Sequence, residues 1–313
     1  MAAAAVVLPT MEQAQEIFTE DAVTMVLKRM RLGAAPGVDG LPTACLRCPE
    51  LREVLTKLLQ AVYMSGREPV DMGMALLTPA YKRKGHRWDP PSYRPLALPT
   101  ALHKLYAGCV HLALHGALAP NLSSIFPTQA GFLPGRNTLL NCFALQHMVQ
   151  HAHAHRQPLR IALLDVAKAY DTVVHAHLVT ALAEVNVPAS LIAAVVGMYT
   201  AVRYRVAVQG RAGAVFPAGV GVRQGCPLSP LLYNLYTTGL AKHLARECPN
   251  VGVALAGDSD NVVVLSYADD QAVVHQGYML GLHQAVAATV GSLVGVGQAL
   301  YGGKSVQLVC LAR

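Results

Sequence analysis

The sequence is poor in charge and in aromatic rings. Only 14% of its 313 residues are charged and 6% are aromatic, with a single tryptophan, whereas roughly 25% of the residues in an average globular domain carry charge. Apolar residues make up 53% of the chain, which is enough to form a sizeable core and excludes disorder over most of the length. The length suits one large domain or two smaller ones.

Cysteine is sparse, and long apolar runs are lacking. Seven cysteines in 313 residues are too few for a disulfide-rich scaffold, so we expect an intracellular, reducing compartment. Residues 1–9 lack the basic flank of a signal peptide. The best membrane candidate, residues 285–300, contains Gln298 and is shorter than the roughly 20 residues that a spanning helix needs. We therefore expect no membrane partner.

Acidic residues are rare beyond residue 104. From residue 105 onward there are twelve Lys or Arg and eight Asp or Glu, and four of these acids are Asp165, Asp171, Asp269 and Asp270. With a net charge of +7, this pattern indicates a cation site within a surface that binds anions, and nucleic acid is the anion that fits best. The alternative at this point is that the net charge of +7 only aids solubility and reflects no anionic partner.

The periodicity of apolar residues predicts an α+β fold, with sheets packed against helices. Helices are predicted over residues 11–31, 43–63, 99–118, 138–153, 172–185, 229–246 and 281–300. Strands are predicted over residues 74–79, 159–166, 202–208, 214–216, 262–267, 271–275 and 305–312.

Three carboxylates follow apolar strands. Asp165 ends the run 161–164, and Asp269 and Asp270 follow the run 262–265 at a predicted hairpin turn. A carboxylate at a buried strand end is costly unless it is paired or binds a metal. Oxygen ligands suit Mg²⁺, and two such ions can bridge the attacking and leaving oxygens of a phosphoryl transfer. Because Asp is also a common turn residue, the Asp269-Asp270 pair alone does not distinguish a metal site from an ordinary turn.

Six short segments, in order, resemble the motifs of reverse transcriptases. LDVAKAYDT at 164–172 resembles motif A, GVRQGCPLSP at 221–230 motif B and YADD at 267–270 motif C. Upstream, SYRPLAL at 92–98 followed by HKLY at 103–106 resembles motif 1, and QAGFLPGRN at 129–137 resembles motif 2. APGVDGL at 35–41 resembles an N-terminal motif of non-LTR and group II intron enzymes, and KRKG at 82–85 favours the non-LTR (LINE-like) branch.

The resemblance implies the fingers and palm of a right-hand polymerase, with the palm a small antiparallel sheet backed by helices. We expect an N-terminal tail and first helix over 1–24, fingers over 25–157 and palm over 158–313. A segment similar to the family's thumb is not found. The implied activity is RNA-directed DNA synthesis from dNTPs on a DNA primer and RNA template, as part of a retrotransposon polyprotein. The family also implies a nuclear location.

The resemblance assigns residues to roles by position. Asp165, Asp269 and Asp270 would be the catalytic carboxylates and, with the backbone carbonyl of Val166, would hold two Mg²⁺ ions, for which Mn²⁺ can substitute. Tyr170 would exclude a ribose 2′-hydroxyl. The remaining candidates are Lys82, Lys84 and Arg94 for the triphosphate, Arg223, Gln224 and Gly225 for the nucleotide and template base, Arg136 and Lys168 for nucleic acid, and Lys304 as the motif D lysine.

Two alternatives stay open on the sequence alone. A catalytically inactive, nucleic-acid-binding remnant would keep the same motifs, and a group II intron maturase-like enzyme would share the N-terminal motif. The sequence leaves the oligomeric state undetermined.

Overall fold

The computed structural model describes residues 8–200, 202–208, 210–254, 261–302 and 304–310, without the side chains of 306–310. Residues 1–7 of the predicted tail and residues 311–312 of the last predicted strand lie outside this description. The α-helices of the described part are α1 (Met11–Ile17), α2 (Glu20–Arg29), α3 (Arg52–Met64), α4 (Val70–Gly73), α5 (Ala101–Leu118), α6 (Leu122–Ile125), α7 (Thr138–Ala154), α8 (His175–Glu184), α9 (Ala189–Thr200), α10 (Ser229–Tyr236), α11 (Gly239–Glu247) and α12 (Met279–Gly295). Its strands are β1 (Met74–Tyr81), β2 (Tyr93–Pro99), β3 (Leu159–Asp165), β4 (Arg203–Val208), β5 (Arg211–Pro217), β6 (Val264–Tyr267), β7 (Asp270–Gln276) and β8 (Val306–Cys310). No helix in these ranges is both long enough and apolar enough to span a membrane.

The chain divides into two compact units. The described residues up to Pro120 form the first unit together with Leu182–Ser229, and Asn121–Ala181 forms the second with the described residues from Pro230 onward.

The first unit contains a mixed sheet in the order β2-β1-β4-β5. β1 pairs antiparallel with β2 and parallel with β4, and β5 pairs antiparallel with β4. An aromatic cluster joins the helices of this unit: the buried Phe18 ring stacks on Tyr106, with centroids 5.4 Å apart, and meets Tyr63 edge-on. Such ring pairs stabilise a core beyond the area they bury.

The second unit contains an antiparallel sheet in the order β6-β7-β3-β8. Because side chains alternate along a strand, β3 serves two cores. Ile161 packs with Met148 of α7 on one face, whereas Ala162 and Leu164 pack with Leu282 of α12 on the other. Helices therefore back both faces of this sheet, and the predicted α+β class is confirmed.

Several element boundaries differ from the predictions. The helix predicted over 11–31 is two helices, because the Thr19 hydroxyl accepts a hydrogen bond from the Ala22 N–H and starts α2 afresh. The helix predicted over 43–63 begins only at Arg52, after two short 3₁₀ turns, the second of which starts at Pro49. Strand β2 and helix α9 were not predicted. Pro95 interrupts the strand pattern of β2, which lies at a sheet edge where proline is tolerated. Because α9 is apolar on most sides, it lacks the alternation of apolar and polar faces from which a helix is predicted.

Candidate active site

The β3–β7 register brings the predicted carboxylates of the second unit together. Asp165 is the last residue of β3, and its cross-strand partner on β7 is Asp270. Asp270 also pairs with Tyr267 of β6, so Ala268 and Asp269 form a two-residue hairpin turn. Asp165 and Asp270 are direct neighbours across the strands, and Asp269 is adjacent in the turn. Directly opposed like charges destabilise a sheet, so this pairing calls for a compensating cation.

The electrostatic surroundings of Asp269 also favour a nearby cation. Burial raises the pKa of this half-buried carboxyl, the negative charges of Asp270 and Asp165 raise it further, and its own backbone N–H and Lys304 act in the opposite direction. A positive ion near the three carboxylates would favour the ionised form of Asp269.

Lys304 is the protein cation that meets this cluster. Its Nζ lies 2.8 Å from Asp165 Oδ2, and the two side chains are 57% and 17% exposed. The hydrogen bond to Asp165 raises the pKa of Lys304, so the lysine holds its proton. The residue predicted as the motif D lysine therefore contacts one of the predicted catalytic carboxylates.

The backbone around Asp165 is held from the C-terminal side. The Tyr301 N–H donates to the Asp165 carbonyl over 2.7 Å, and the Ala167 N–H donates to the Ala299 carbonyl over 2.7 Å. Val166, between them, is buried and bridges to Leu300. This ladder fixes the end of β3 and the residue predicted to offer its carbonyl to a metal.

Tyr170 lies on an aromatic support that the sequence analysis missed. Its half-exposed ring stacks on the buried ring of Tyr233, with centroids 5.0 Å apart and planes 10° from parallel. Gln298 Nε2 donates to the Ala169 carbonyl over 2.9 Å, and Tyr233 donates to Gln298 Oε1 over 3.5 Å. Burial raises the pKa of Tyr170 to about 12, with a smaller effect of Asp269. Tyr233 lies in helix α10, four residues after the helix begins at Ser229. No motif in the sequence pointed to it.

Two further candidates of the second unit have different surroundings. The Arg136 guanidinium donates to the Gln129 carbonyl over 2.7 Å and to the Phe126 carbonyl. These donors hold the motif 2 loop itself. Lys168 is exposed and has a left-handed backbone with φ of 48° at the start of the turn that carries Tyr170.

The triphosphate candidates lie in the first unit, on the β1–β2 hairpin. Lys82 and Lys84 are exposed in its loop, and Arg94 is exposed on the edge strand β2. Lys82 Nζ donates to the Pro91 carbonyl over 2.8 Å. Exposed Arg and Lys side chains of this kind suit phosphate oxygens.

The motif B candidates also lie in the first unit, where Arg223 is buried. Its Nη1 lies 2.8 Å from His103 Nδ1 and 3.8 Å from Glu68 Oε2, and its Nη2 donates to the carbonyls of Gly73 and Met198. With only 1% of Arg223 exposed, its guanidinium is buried and anchors the motif B loop within the first unit.

Gln224 and Gly225 pack the same loop against β2. The Ala97 N–H donates to the Gln224 carbonyl over 2.8 Å. Gly225 has φ of +127°, and a Cβ there would lie 2.3 Å from the Ala97 carbonyl oxygen. The glycine is thus required for close approach to the protein's own strand.

The carboxylate cluster borders an open cavity of about 440 Å³. Asp165, Asp270 and Lys304 line one part of it, and mostly apolar side chains of β3, β6, β7 and α7 line the rest. This volume lies within the usual range of small-molecule sites.

The carboxylate oxygens of this cluster suit a divalent ion whose coordination shell is completed by the substrate. No group of three His, Cys, Asp or Glu side chains within the described ranges is arranged to hold a metal ion alone. Mg²⁺ is usually bound by only one or two carboxylates, together with waters and substrate phosphates. The opposed Asp165 and Asp270, with Asp269 beside them, meet that requirement.

Comparisons with known proteins agree on a family. The sequence profile described as "Reverse transcriptase (RNA-dependent DNA polymerase)" matches residues 82–298. The chain is 28% identical over 271 residues to the "Transposon TX1 uncharacterized 149 kDa protein" of Xenopus laevis, covering 85% of this chain and 20% of that protein. It is 27% identical over 246 residues to the "Retrovirus-related Pol polyprotein from type-2 retrotransposable element R2DM" of Drosophila melanogaster, covering 77% and 22%. The chain thus spans about a fifth of the length of these relatives.

A solved structure agrees at the level of fold. Apo telomerase from Candida tropicalis, truncated from its C-terminal domain, gives a TM-score of 0.56 at 14% sequence identity. The likeness covers 83% of this chain and 55% of that one.

Proposed function

Because the chain belongs to the reverse transcriptase family, we propose that it carries out RNA-templated DNA synthesis as the catalytic region of a non-LTR retrotransposon protein. The reaction joins the α-phosphate of a dNTP to the 3′-hydroxyl of a primer and releases pyrophosphate. The observation that carries the proposal is the direct pairing of Asp165 with Asp270 beside the Ala268-Asp269 turn.

The carboxylates would hold the ions on which this family generally depends. Asp165 and Asp269 are the proposed ligands, with Asp270 and the Val166 carbonyl beside them. Two Mg²⁺ ions bound there would lower the pKa of the primer hydroxyl and neutralise charge on the leaving group. Lys304, protonated and hydrogen-bonded to Asp165, would give its proton to the pyrophosphate.

Tyr170 would select the sugar. Its ring is held flat against Tyr233, and the turn that carries it is tied down by Gln298. A ring fixed in this way resists displacement by a 2′-hydroxyl, so the enzyme would prefer deoxyribonucleotides.

Basic residues would bind the anionic groups of the substrates. We assign the triphosphate to Lys82, Lys84 and Arg94 of the first unit, and nucleic-acid contact to Lys168 of the second unit. We retain fingers over 25–157 and palm over 158–313 as a division by role, although Leu182–Ser229 belongs to the first compact unit. The named relatives come from transposable elements, which favours this reading over an intron-encoded maturase.

Primer extension tests the proposal. The chain is incubated with an oligo(dT)-primed RNA template, dNTPs and Mg²⁺ or Mn²⁺, beside an Asp165→Ala/Asp269→Ala variant whose fold is checked by circular dichroism. We expect DNA synthesis by the wild type alone. Equal synthesis by the variant would remove the carboxylates from the mechanism, and synthesis by neither folded protein would favour the non-catalytic remnant.

A further inference from the structure

The hairpin turn that presents Asp269 has an unfavourable backbone. Ala268 has φ of 55°, in the left-handed region that non-glycine residues rarely occupy. Such a conformation is unfavourable and persists only where the surroundings enforce it. Because Ala268 is buried and directly precedes Asp269, whatever enforces this conformation also sets the direction of the carboxylate.

The side chain of Gln129 grips this residue at both of its backbone polar groups. Gln129 Oε1 accepts a hydrogen bond from the Ala268 N–H over 2.7 Å, and Nε2 donates to the Ala268 carbonyl over 3.2 Å. The same Oε1 accepts from the Gly131 N–H over 2.8 Å. An uncharged amide is the side chain that can accept and donate at once in this way.

Gln129 is itself anchored. Its neighbours Thr128 and Ala130 bond to the backbone of Ser266 in β6, over 3.0 and 2.9 Å, and its carbonyl accepts from Arg136. Gly131 lets the segment that carries Gln129 approach the turn closely, because a Cβ at Gly131 would lie 2.5 Å from the Ala268 nitrogen. With 7% of Gln129 exposed, water competes little for these bonds.

We propose that Gln129 is a positioning residue that holds the Ala268-Asp269 turn in the orientation in which Asp269 binds a divalent ion. This inference rests on the proposed function of Asp269. Gln129 touches no reacting atom in this scheme and acts through the turn. Its loss would leave the ligands in place and relax their geometry, which typically weakens metal affinity about 10- to 100-fold.

The test compares variants of similar volume. Gln129→Met removes the strong acceptor and the donor without leaving a large cavity. Gln129→Glu keeps an acceptor for both N–H groups but loses the donor to the Ala268 carbonyl, so it isolates the contribution of the accepting oxygen. Gln298→Met is the matched control, since Gln298 is also a buried glutamine of this unit, with 3% exposed, and bonds to the Tyr170 turn.

Hydrogen–deuterium exchange at Ala268 is the first measurement, and it needs neither metal nor activity. We expect Gln129→Met to exchange at least about tenfold faster than wild type at this amide. Gln129→Glu should retain protection, and Gln298→Met should leave the Ala268 amide unchanged. Equal acceleration by both Met variants would show general loosening and overturn the proposal.

Mn²⁺ affinity, followed by electron paramagnetic resonance, is the second measurement. We expect about a tenfold or greater rise in the Mn²⁺ dissociation constant for Gln129→Met and little change for Gln298→Met. Unchanged affinity in a Gln129→Met protein with fast Ala268 exchange would refute the positioning role. If instead Asp269→Ala bound Mn²⁺ as the wild type does, the failure would lie in the proposed function of Asp269.

Discussion

The two units both bring charged side chains together, but they balance the charges differently. In the first unit, the carboxylate of Glu68 meets His103 and Arg223, and all three residues are at least 95% buried. In the second unit, three carboxylates meet Lys304, whose side chain is 57% exposed. The first cluster is compensated by its own protein, and the second keeps an excess of negative charge.

The difference separates structure from function. A buried carboxylate with its own cation needs nothing from solution, and such a pair is costly to break. Opposed carboxylates that outnumber their cation remain unfavourable until a positive ion arrives. The second cluster is therefore the one that we propose to bind a cation, and the first holds the motif B loop in place.

Removing a carboxylate from the second cluster should produce the largest effect. We expect Asp269→Ala to lower nucleotide incorporation by at least roughly 1,000-fold, as loss of one member of a catalytic group does. Asp71→Ala, which removes an exposed acid of the first unit, is the control and should leave incorporation unchanged in the same primer-extension assay. Undiminished synthesis by a folded Asp269→Ala protein would contradict the account.

Breaking the compensated cluster should instead cost stability. Arg223→Met leaves Glu68 without its guanidinium, and we expect a loss of about 3–5 kcal/mol in the free energy of unfolding, measured with urea. Adding Glu68→Gln should recover part of this loss, because no uncompensated carboxylate remains. If the two single losses simply add in the double variant, the groups are not coupled.

The aromatic stacks extend the comparison at a smaller scale. Phe18 and Tyr106 form a fully buried pair in the first unit, whereas Tyr170, which stacks on Tyr233, is only partly buried. We expect Tyr170→Ala to shift the ratio of dNTP to rNTP incorporation by on the order of 10- to 100-fold toward ribonucleotides. Single-nucleotide incorporation assays would measure it, and an unchanged ratio in an active variant would reject the sugar-selecting role.

The smallest predicted effect is a pH dependence of stability. Burial and the neighbouring acids raise the pKa of Asp269 above its ordinary value of 3.8, so the folded state binds the proton more tightly than the unfolded chain does. Ionisation of Asp269 therefore opposes folding. In metal-free buffer, Asp269→Asn should unfold at a higher urea concentration than wild type near pH 7. This advantage should disappear as the pH falls below 3.8, and a constant difference across pH would contradict the assignment.

The sequence predicted the family and the antiparallel carboxylate hairpin because these depend on local patterns. The resemblance to non-LTR reverse transcriptases is confirmed by the family match and by the retrotransposon relatives. The roles of the individual site residues remain predictions. The supports of the site were invisible in the sequence because they are long-range: Gln129 meets Ala268 across 139 positions and Gln298 meets Ala169 across 129. The burial of Arg223 was also hidden, since its partners Glu68 and His103 are distant in the sequence and no local pattern links them to it.

Stabilisation by metal ions tests the charge imbalance most directly. Thermal unfolding is followed as Mn²⁺ is added to the wild type and to Asp165→Ala/Asp269→Ala, without primer or nucleotide. An ion that binds only the folded state raises the midpoint temperature progressively with its concentration. The account predicts a rising midpoint for the wild type and a flat response for the variant. The same response in both proteins would show that the carboxylate cluster does not bind the ion.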